Sequence, residues 1–207
     1  MSNWEEQKGE FFQWGILPID EVPHDVLYYL KNKFGDKSHN HELAGHIRKE
    51  FAYENWPNFV EEFIIEKAGD PFLDRLMEKY QVLSSSRPFK LKSLWVNLQK
   101  KHEFNPVHYH GGLFSFIIFL KIPYDLKKED DVFPPTSSGH STSRLCFLMS
   151  DGMGDIFPIN VNADKSFEGK MLMFSSKVNH LVYPFYTSDD YRMTVSGNVV
   201  FDVEKEK

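Results

Sequence analysis

The pattern of apolar residues changes near residue 88, and this change constrains the fold more than any other feature of the chain. Before it, apolar residues recur at helical spacing, and after it, short β-rich runs are separated by turn signals such as Glu168-Gly169. Many short strands with regular turns are typical of a sandwich or barrel. An amphipathic helix must bury its apolar face on another layer. We therefore predict an α+β, mainly β, single domain over residues 1–207, with helices at about 20–83 packed on one sheet of a β core at about 89–203.

The β-rich half predicts strands separated by turns. They lie at 91–99, 113–122, 144–149, 156–161, 171–175, 178–183 and 192–203. The first run alternates, so Trp95, Asn97 and Gln99 share one face. Residues 124–143 are polar and contain Pro, Gly and Ser, which predicts a long loop. A loop of this length is either a lid over a binding site or a mobile surface loop.

The first half predicts mainly helices. A short strand is expected at 11–17, and helices are expected at 25–34 and 38–53. Trp56, Phe59, Val60, Phe63 and Ile64 follow i, i+3, i+4 spacing, which indicates an amphipathic helix. Another helix is expected after Gly69-Asp70-Pro71, followed by a linker over 84–88.

The composition excludes several classes of protein. Aromatic residues make up 15% of the 207 residues, which argues against disorder. The net charge of −6 argues against nucleic-acid binding, because phosphate contacts need an excess of Lys and Arg. The apolar run Leu113–Leu120 is too short to span a membrane as a helix. The acidic N-terminus does not resemble a signal peptide, and the single cysteine, Cys146, cannot form an intramolecular disulfide, so we expect a cytoplasmic protein.

The first histidine cluster comprises His39, His41 and His46. His41-Glu42 followed by His46 resembles a zinc-protease helix, but that motif needs histidines at i and i+4. Here the spacing is i and i+5, which places the two side chains roughly 140° apart on a helix. We expect these histidines to be exposed and dispensable for metal binding.

The second cluster is His108-Tyr109-His110, followed by Gly111-Gly112 and the most apolar strand. On an extended segment, residues i and i+2 point to the same side. His108 and His110 can therefore bind one metal ion together. The two glycines allow the backbone to turn closely beside such a site.

A third group lies near the C-terminus, where His180 is followed 12 residues later by Arg192. If Arg192 faces an apolar barrel interior, its charge needs a counterion. A carboxylate ligand would supply one, because a planar guanidinium binds carboxylates with two parallel hydrogen bonds. Thr194 lies on the same face and offers a hydroxyl group. The alternative is a surface arginine on an edge strand.

From Trp95 to Val200 the chain resembles the Fe(II)/2-oxoglutarate-dependent dioxygenases. It resembles the prolyl-hydroxylase-like members of this superfamily, and especially the small hydroxylase-like proteins encoded by large phages. The resemblance lies in LWVNLQKKHEFNPVHYHGGLFSFIIFLKIPYD and GKMLMFSSKVNHLVYPFYTSDDYRMTVSGNVVF, and HNHELAGHI in the first half also resembles the phage-type group. The resemblance implies a double-stranded β-helix, or jelly roll, with helices packed on one sheet.

The resemblance also implies a role for individual residues. His108 takes the place of the first iron ligand, and His180 that of the distal histidine. Arg192 takes the place of the basic residue that binds the far carboxylate of 2-oxoglutarate, with Thr194 as its hydroxyl partner. Asn97 lies on the strand that lines the co-substrate pocket.

The chain departs from the family pattern at His110, where the superfamily usually has Asp or Glu. Three neutral imidazoles leave bound Fe(II) with a net charge of +2, whereas two imidazoles and a carboxylate leave +1. Imidazole suits Fe(II) as a ligand. Either His110 is the third ligand, or an acid such as Asp151 or Asp155 completes the shell.

The resemblance implies a hydroxylase that uses Fe(II), 2-oxoglutarate and dioxygen and releases succinate and carbon dioxide. Its substrate is unknown, and a peptidyl proline is the family-level expectation. A phage-encoded protein would act in the host cytoplasm. Two alternatives remain open: a metal-binding jelly-roll module without oxygenase activity, and a three-histidine iron dioxygenase that does not use 2-oxoglutarate.

Overall fold

The computed structural model describes residues 2–38, 45–67, 89–133 and 141–202. The helices are α1 (Asn3–Gln13), α2 (His24–Asn32), α3 (58–67) and α4 (Leu126–Val132), with a 3-10 turn at Lys165–Phe167. The strands are β1 (Leu17–Ile19), β2 (Glu50–Ala52), β3 (Phe89–Gln99), β4 (Asn105–His108), β5 (Phe114–Lys121), β6 (Leu145–Ser150), β7 (Ile156–Val161), β8 (Met171–Ser175), β9 (Asn179–Val182) and β10 (Arg192–Phe201). The predicted strands of the second half are thus confirmed, with small shifts at their ends.

The strands form two antiparallel sheets. The larger sheet has the order β1-β8-β5-β10-β3-β2, and the smaller one has the order β4-β9-β6-β7. Apart from the β6–β7 hairpin, neighbouring strands are far apart in sequence, as in a jelly roll, where the chain crosses repeatedly between two sheets. The predicted fold class, mainly β with helices on one sheet, is confirmed.

Two apolar cores lie on the two faces of the larger sheet. The outer core lies on the face of the larger sheet that carries α2 and α3. It contains Val26, Leu30, Val60, Ile64, Leu94, Val96, Phe116 and Val195. The inner core lies between the sheets and contains Ile117, Phe119, Leu145, Phe147, Ile159, Leu172 and Phe174. Val60, Phe63 and Ile64 of the predicted stripe therefore pack on the sheet, whereas Phe59, expected on the same face, is 39% exposed.

The prediction of a strand at residues 11–17 is wrong, because most of this segment belongs to helix α1 or the turn after it. Ser2 caps the helix by accepting a hydrogen bond from the backbone N–H of Glu5 at 3.4 Å. Trp4 and Phe11 are buried on one side of α1, and the Trp4 indole donates to Asp20 at 2.7 Å. Helical burial of these aromatics outweighs the local β propensity of the Phe-rich segment.

The prediction of a helix at 38–53 is wrong for the residues that the structure describes. Residues 45–49 are irregular, and β2 pairs with β3 in the register Glu50↔Asn97. The backbone N–H of Tyr53 then donates to Leu94 at 2.9 Å. Pairing with β3 decides the conformation here, since β2 is only three residues long. Residues 39–44, the helix expected after residue 71 and the linker at 84–88 lie outside the described residues.

The segment 124–143, predicted as a loop, contains helix α4. Asp125 caps this helix by accepting from the backbone N–H of Lys128 at 3.2 Å. The fully buried Glu129 carboxylate accepts from the backbone N–H groups of Tyr186 (2.9 Å) and Thr187 (2.8 Å). These bonds tie α4 to the β9–β10 connection, while residues 134–140 lie outside the described part.

No described helix is long and apolar enough to cross a membrane.

Candidate metal centre and adjoining pocket

Three histidines converge where β4 meets β9. His108 ends β4 and lies directly opposite His180 of β9 in the sheet register. His110 follows β4, and its backbone N–H donates to the carbonyl of Ser176 at 2.8 Å. Gly112 makes the turn into β5 with φ of 101°, and a Cβ there would lie 2.8 Å from the Val199 carbonyl oxygen. The sequence needs glycine at this position to bring His110 beside the other two histidines.

The geometry of the three rings suits one shared ion. One ligand nitrogen from each of His108, His110 and His180 lies within 4.8 Å of the other two. The Nε2 atoms of His110 and His180 are 3.2 Å apart. Ring centroids are 4.3 Å apart for His108 and His180, and 5.0 Å apart for each of the other pairs. The histidine pair and the distal histidine of the sequence therefore meet in space.

Hydrogen bonds to backbone carbonyls orient two of the rings. His108 Nδ1 lies 2.7 Å from the carbonyl oxygen of Pro106, and His180 Nδ1 lies 3.0 Å from that of Val178. A carbonyl can only accept, so each Nδ1 carries the proton and each Nε2 keeps its lone pair. Such a second hydrogen bond fixes the tautomer of a metal-binding histidine.

Burial keeps the three imidazoles neutral. Burial, together with the repulsion from a charge on His108, lowers the pKa of His180 to about 3 and that of His110 to about 4. Burial also lowers the pKa of His108. Neutral imidazole is the form that binds a metal, so near pH 7 the cluster is ready to accept a divalent ion.

The other candidate ligands lie elsewhere. Asp151 and Asp155 are exposed, and Asp151 Oδ1 accepts from the backbone N–H of Asp155 at 3.0 Å within a turn. Among the described residues, the metal-ligating cluster contains no carboxylate. His46 is exposed and stacks on Phe104 at 4.6 Å, outside the cluster. His39 and His41 lie outside the described residues.

A pocket extends from the three histidines along the inner face of the larger sheet. Trp95, Asn97 and Gln99 of β3 line it together, as their alternation predicts. Thr194 pairs with Asn97 in the sheet register and also lines it. The Asn97 Nδ2 group donates to Thr194 Oγ1 at 3.3 Å. Ile117 and Phe119 of β5 continue the same face of the sheet, and Leu145 and Val182 line the pocket from the smaller sheet.

Arg192 lines the same pocket and is only 6% exposed. Its Nε donates to Gln99 Oε1 at 3.0 Å, and its Nη2 donates to the same oxygen. Its Nη1 donates to the Tyr124 hydroxyl at 3.1 Å and to the Ser143 carbonyl at 2.8 Å. These bonds use four of the five N–H donors of a guanidinium, which leaves one on Nη2. The expectation of apolar surroundings and two donors free for a ligand is therefore corrected: the cradle is polar and neutral.

The charge of Arg192 has no ionic partner within the described chain, where its bonds go only to neutral acceptors. A second buried arginine, Arg144, shows the contrast. Its Nη1 and Nη2 bind the Asp130 carboxylate at 2.5 and 3.0 Å. The chain thus supplies a carboxylate to Arg144, while the Arg192 end of the pocket is suited to an anion.

Sequence reasoning missed several residues of the pocket. Tyr124 and Ser143 are the ends of the segment predicted as a loop, and no sequence pattern links them to Arg192. Gln99 was placed on the correct face but not linked to the guanidinium. Glu50, 1% exposed, lines the pocket from β2, where a helix was predicted. Burial, with a smaller effect from the Glu103 charge, raises its pKa to about 7.

Comparisons with known proteins give the family and the fold of the chain. A family model described as "Putative 2OG-Fe(II) oxygenase" matches residues 93–198, just over half of the 207 residues. Those residues include all three histidines of the cluster and Arg192. The comparison with curated proteins finds no significant match.

Solved structures share the fold at low sequence identity. An oxidoreductase of the 2OG-Fe(II) oxygenase family from Burkholderia pseudomallei is similar over 95% of this chain and 89% of that chain, with a TM-score of 0.52 and 12% identity. A Pseudomonas putida prolyl-4-hydroxylase matches over 94% of this chain and 96% of that chain, at TM-score 0.49 and 14% identity. A viral collagen prolyl hydroxylase from Paramecium Bursaria Chlorella virus-1 matches over 89% and 94%, at TM-score 0.48 and 13% identity. The first of these shows the shared fold.

Proposed function

Since the chain belongs to the family of 2-oxoglutarate- and Fe(II)-dependent oxygenases, we propose that it is a hydroxylase whose iron site is the three-histidine cluster. In this proposal His108, His110 and His180 bind Fe(II). Arg192 and Thr194 receive the far carboxylate of 2-oxoglutarate, and Asn97 lines the co-substrate pocket beside them.

One observation carries the proposal: three neutral imidazoles line one pocket with a buried arginine that has no ionic partner among the described residues. Imidazole nitrogens are good ligands for Fe(II). A dicarboxylate that reaches from the histidines to Arg192 would supply the charge that the guanidinium lacks. The donor set therefore fits both the metal and the 2-oxo acid.

Bound Fe(II) and 2-oxoglutarate supply the oxidative chemistry of the family, in which decarboxylation to succinate is coupled to oxidation of a substrate by dioxygen. The protein contributes binding, orientation and exclusion of water. Arg192 donates its remaining Nη2 hydrogen, and Thr194 adds a hydroxyl group on the same face. The neighbouring Tyr124 hydroxyl, already bound to Arg192, holds the guanidinium in place. Ile117, Phe119 and Val182 keep the intervening space apolar.

The ligand His110 replaces the usual carboxylate and changes the charge of the site. Three neutral imidazoles leave a bound Fe(II) with a net charge of +2. A doubly anionic co-substrate then makes the centre neutral, where a carboxylate ligand would make it −1. We expect this difference to favour binding of the anion.

A titration under anaerobic conditions tests the proposal. Fe(II) is added first, and 2-oxoglutarate is then titrated while the visible charge-transfer band is recorded. We expect the band in the wild type and in a His46→Ala control, and its absence in His180→Ala. Absence of iron binding in the wild type would overturn the proposal.

Iron binding without a response to 2-oxoglutarate would favour one of two alternatives. Both draw on the same observation, the histidine in place of an acidic ligand. One is a metal-binding jelly-roll module without oxygenase activity, and the other is a three-histidine dioxygenase that binds its substrate directly. Oxygen uptake without 2-oxoglutarate would distinguish the second from the first.

Three further assignments belong to this proposal. The chain acts as one domain, which the packing of α2 and α3 on the larger sheet supports. It works in the cytoplasm, consistent with a single, free and buried cysteine. Its substrate is oxidised by dioxygen, and a peptidyl proline is the candidate that the family resemblance implies.

A further inference from the structure

We infer that Glu50 and Asn97 form a subsite for a cationic nitrogen group, an ammonium or a guanidinium, of the substrate that is oxidised. The inference rests on the proposed function and adds the class of substrate. Its subject is the side of the pocket formed by β2 and β3, where Glu50, which has no role in the proposed function, lies beside the co-substrate residue Asn97.

The sheet register places this pair next to the co-substrate site. Glu50 of β2 lies opposite Asn97 of β3, and Asn97 lies opposite Thr194 of β10. Side chains directly opposite on antiparallel strands have Cβ atoms about 4.5–5.5 Å apart and share a face. Glu50, Asn97 and Thr194 therefore form one row across the inner face of the sheet. All three line the pocket that contains the histidine cluster.

The chemistry of the row is asymmetric. The Asn97 Nδ2 group donates to Thr194 at 3.3 Å and to Ser196 at 3.4 Å, so the donor end of the amide points to β10. Its carbonyl oxygen, the other branch of the amide, is buried and has no hydrogen-bond partner within the described part of the chain. Asn97 is itself only 7% exposed. A buried acceptor without a hydrogen bond is destabilising, so a donor from a ligand would be stabilising here.

Glu50 adds an acid beside that oxygen. The residue is 1% exposed, and burial dominates the rise of its pKa to about 7. A carboxyl group in this state gains most from a cation, because a neighbouring positive charge offsets the loss of hydration of the carboxylate. An ammonium or guanidinium offers several N–H donors at once, enough for both Glu50 and the Asn97 oxygen.

A second buried acid, Glu129, has a structural role and lies outside the pocket. Glu129 is fully buried and accepts from two backbone N–H groups and the Thr187 hydroxyl, which tie α4 to the sandwich. Glu129 does not line the pocket, whereas Glu50 does. A neutral prolyl residue has no N–H donor for this subsite, so a substrate that uses it must carry the cation in the reacting residue or beside it.

Blocked tripeptides test the inference. Ac-Ala-Arg-Ala-NH2 carries a side-chain cation, the citrulline peptide is its uncharged isostere, and Ac-Ala-Pro-Ala-NH2 is the neutral prolyl probe. Each is titrated into the anaerobic Fe(II)–2-oxoglutarate complex of the full chain, with the change in the visible band as the binding signal. Succinate release in air is the second measurement.

We expect the wild type to bind the arginine peptide at least tenfold more tightly than the other two. Glu50→Gln should lose this preference, and Glu50→Asp should retain part of it, because the shorter acid keeps the charge. The matched control is Glu54→Gln, which removes an exposed carboxylate paired with Lys37 on the surface. That variant should behave as the wild type does.

Three results would overturn the inference: equal affinity for the arginine and citrulline peptides, tighter binding of the prolyl peptide, or an unchanged preference in Glu50→Gln. In each case the band formed by Fe(II) and 2-oxoglutarate would persist, and the proposed function would stand. Absence of the band in the wild type would instead remove the proposed function and the inference together.

Discussion

Replacing Arg192 by Gln should weaken 2-oxoglutarate binding by about ten- to a hundredfold and leave Fe(II) binding unchanged. Arg192 contacts none of the three histidines; its bonds go to Gln99, Tyr124 and Ser143. The substitution therefore removes the charge at the far end of the pocket without changing the metal ligands.

The magnitude follows from the donors that remain. Four guanidinium N–H groups are used within the protein, so one is left for the carboxylate of the co-substrate. A hydrogen bond to a charged group contributes about 1.5–3 kcal/mol. Each factor of ten in the dissociation constant corresponds to about 1.4 kcal/mol. The dissociation constant of 2-oxoglutarate should therefore rise by about one to two orders of magnitude. Two free N–H donors on the guanidinium would give a larger rise.

The assay is an anaerobic titration of the iron-bound protein with 2-oxoglutarate, followed by the visible band. Arg192→Lys should be intermediate, because lysine keeps the charge and loses the planar fork. Arg144→Gln is the matched control, since it removes an equally buried arginine whose carboxylate partner, Asp130, belongs to the chain. Both substitutions should lower stability, and only the change at Arg192 should alter affinity.

Equal affinity of the wild type and Arg192→Gln would refute the reasoning. A loss of the same size in Arg144→Gln would also refute it, because the effect would then come from general destabilisation. Loss of iron in Arg192→Gln would show that the guanidinium supports the metal site, contrary to the contacts described above.

Other consequences can be measured separately. His180→Ala should lose stoichiometric Fe(II) while His46→Ala keeps it, and retained metal in the first variant would contradict the cluster. The pKa values of His180 and His110 lie near 3 and 4, below the ordinary value of 6.5, so the unfolded chain takes up protons first as the pH falls. The free energy of unfolding of the metal-free protein, measured in urea, should therefore fall between about pH 6.5 and pH 4, and this pH dependence should be weaker in His180→Gln. Glu50 should change the free energy of unfolding in the opposite direction as the pH rises. Its pKa is raised from 4.5 to about 7, so between these values the folded chain holds a proton that the unfolded chain loses. Glu50→Gln should thus be more stable than the wild type at pH 8, with a gap that narrows at pH 5; an unchanged gap would contradict a raised pKa.

The sequence predicts the strands of the sandwich well because their patterns depend on burial within the sheets. Residues 156–161 and 171–175 coincide with the observed β7 and β8. The alternation that includes Trp95 and Asn97 gives the correct pocket face of β3. The alternation is reliable in such a strand because a shift of one residue in the pairing register would turn its core-facing side chains to the other face.

The errors lie where tertiary contacts decide the local structure. Helix α1 forms because Trp4 and Phe11 are buried together on one of its sides. Strand β2 forms because it pairs with β3, and neither Glu50 nor its neighbours carry a β pattern of their own. The same limit hid Tyr124 and Ser143, which reach Arg192 only through the fold.

The buried charges of the described chain fall into two kinds, and the difference separates structural roles from functional ones. Glu129 accepts from two backbone N–H groups, and Arg144 binds Asp130, so both are satisfied by partners within the chain. Arg192 is surrounded only by neutral acceptors. Burying a charge without an ionic partner lowers the free energy of unfolding, so packing alone does not explain an arginine at this position. Because the same pocket holds three neutral imidazoles, a ligand with negative charge at one end and metal-binding oxygens at the other would meet both needs.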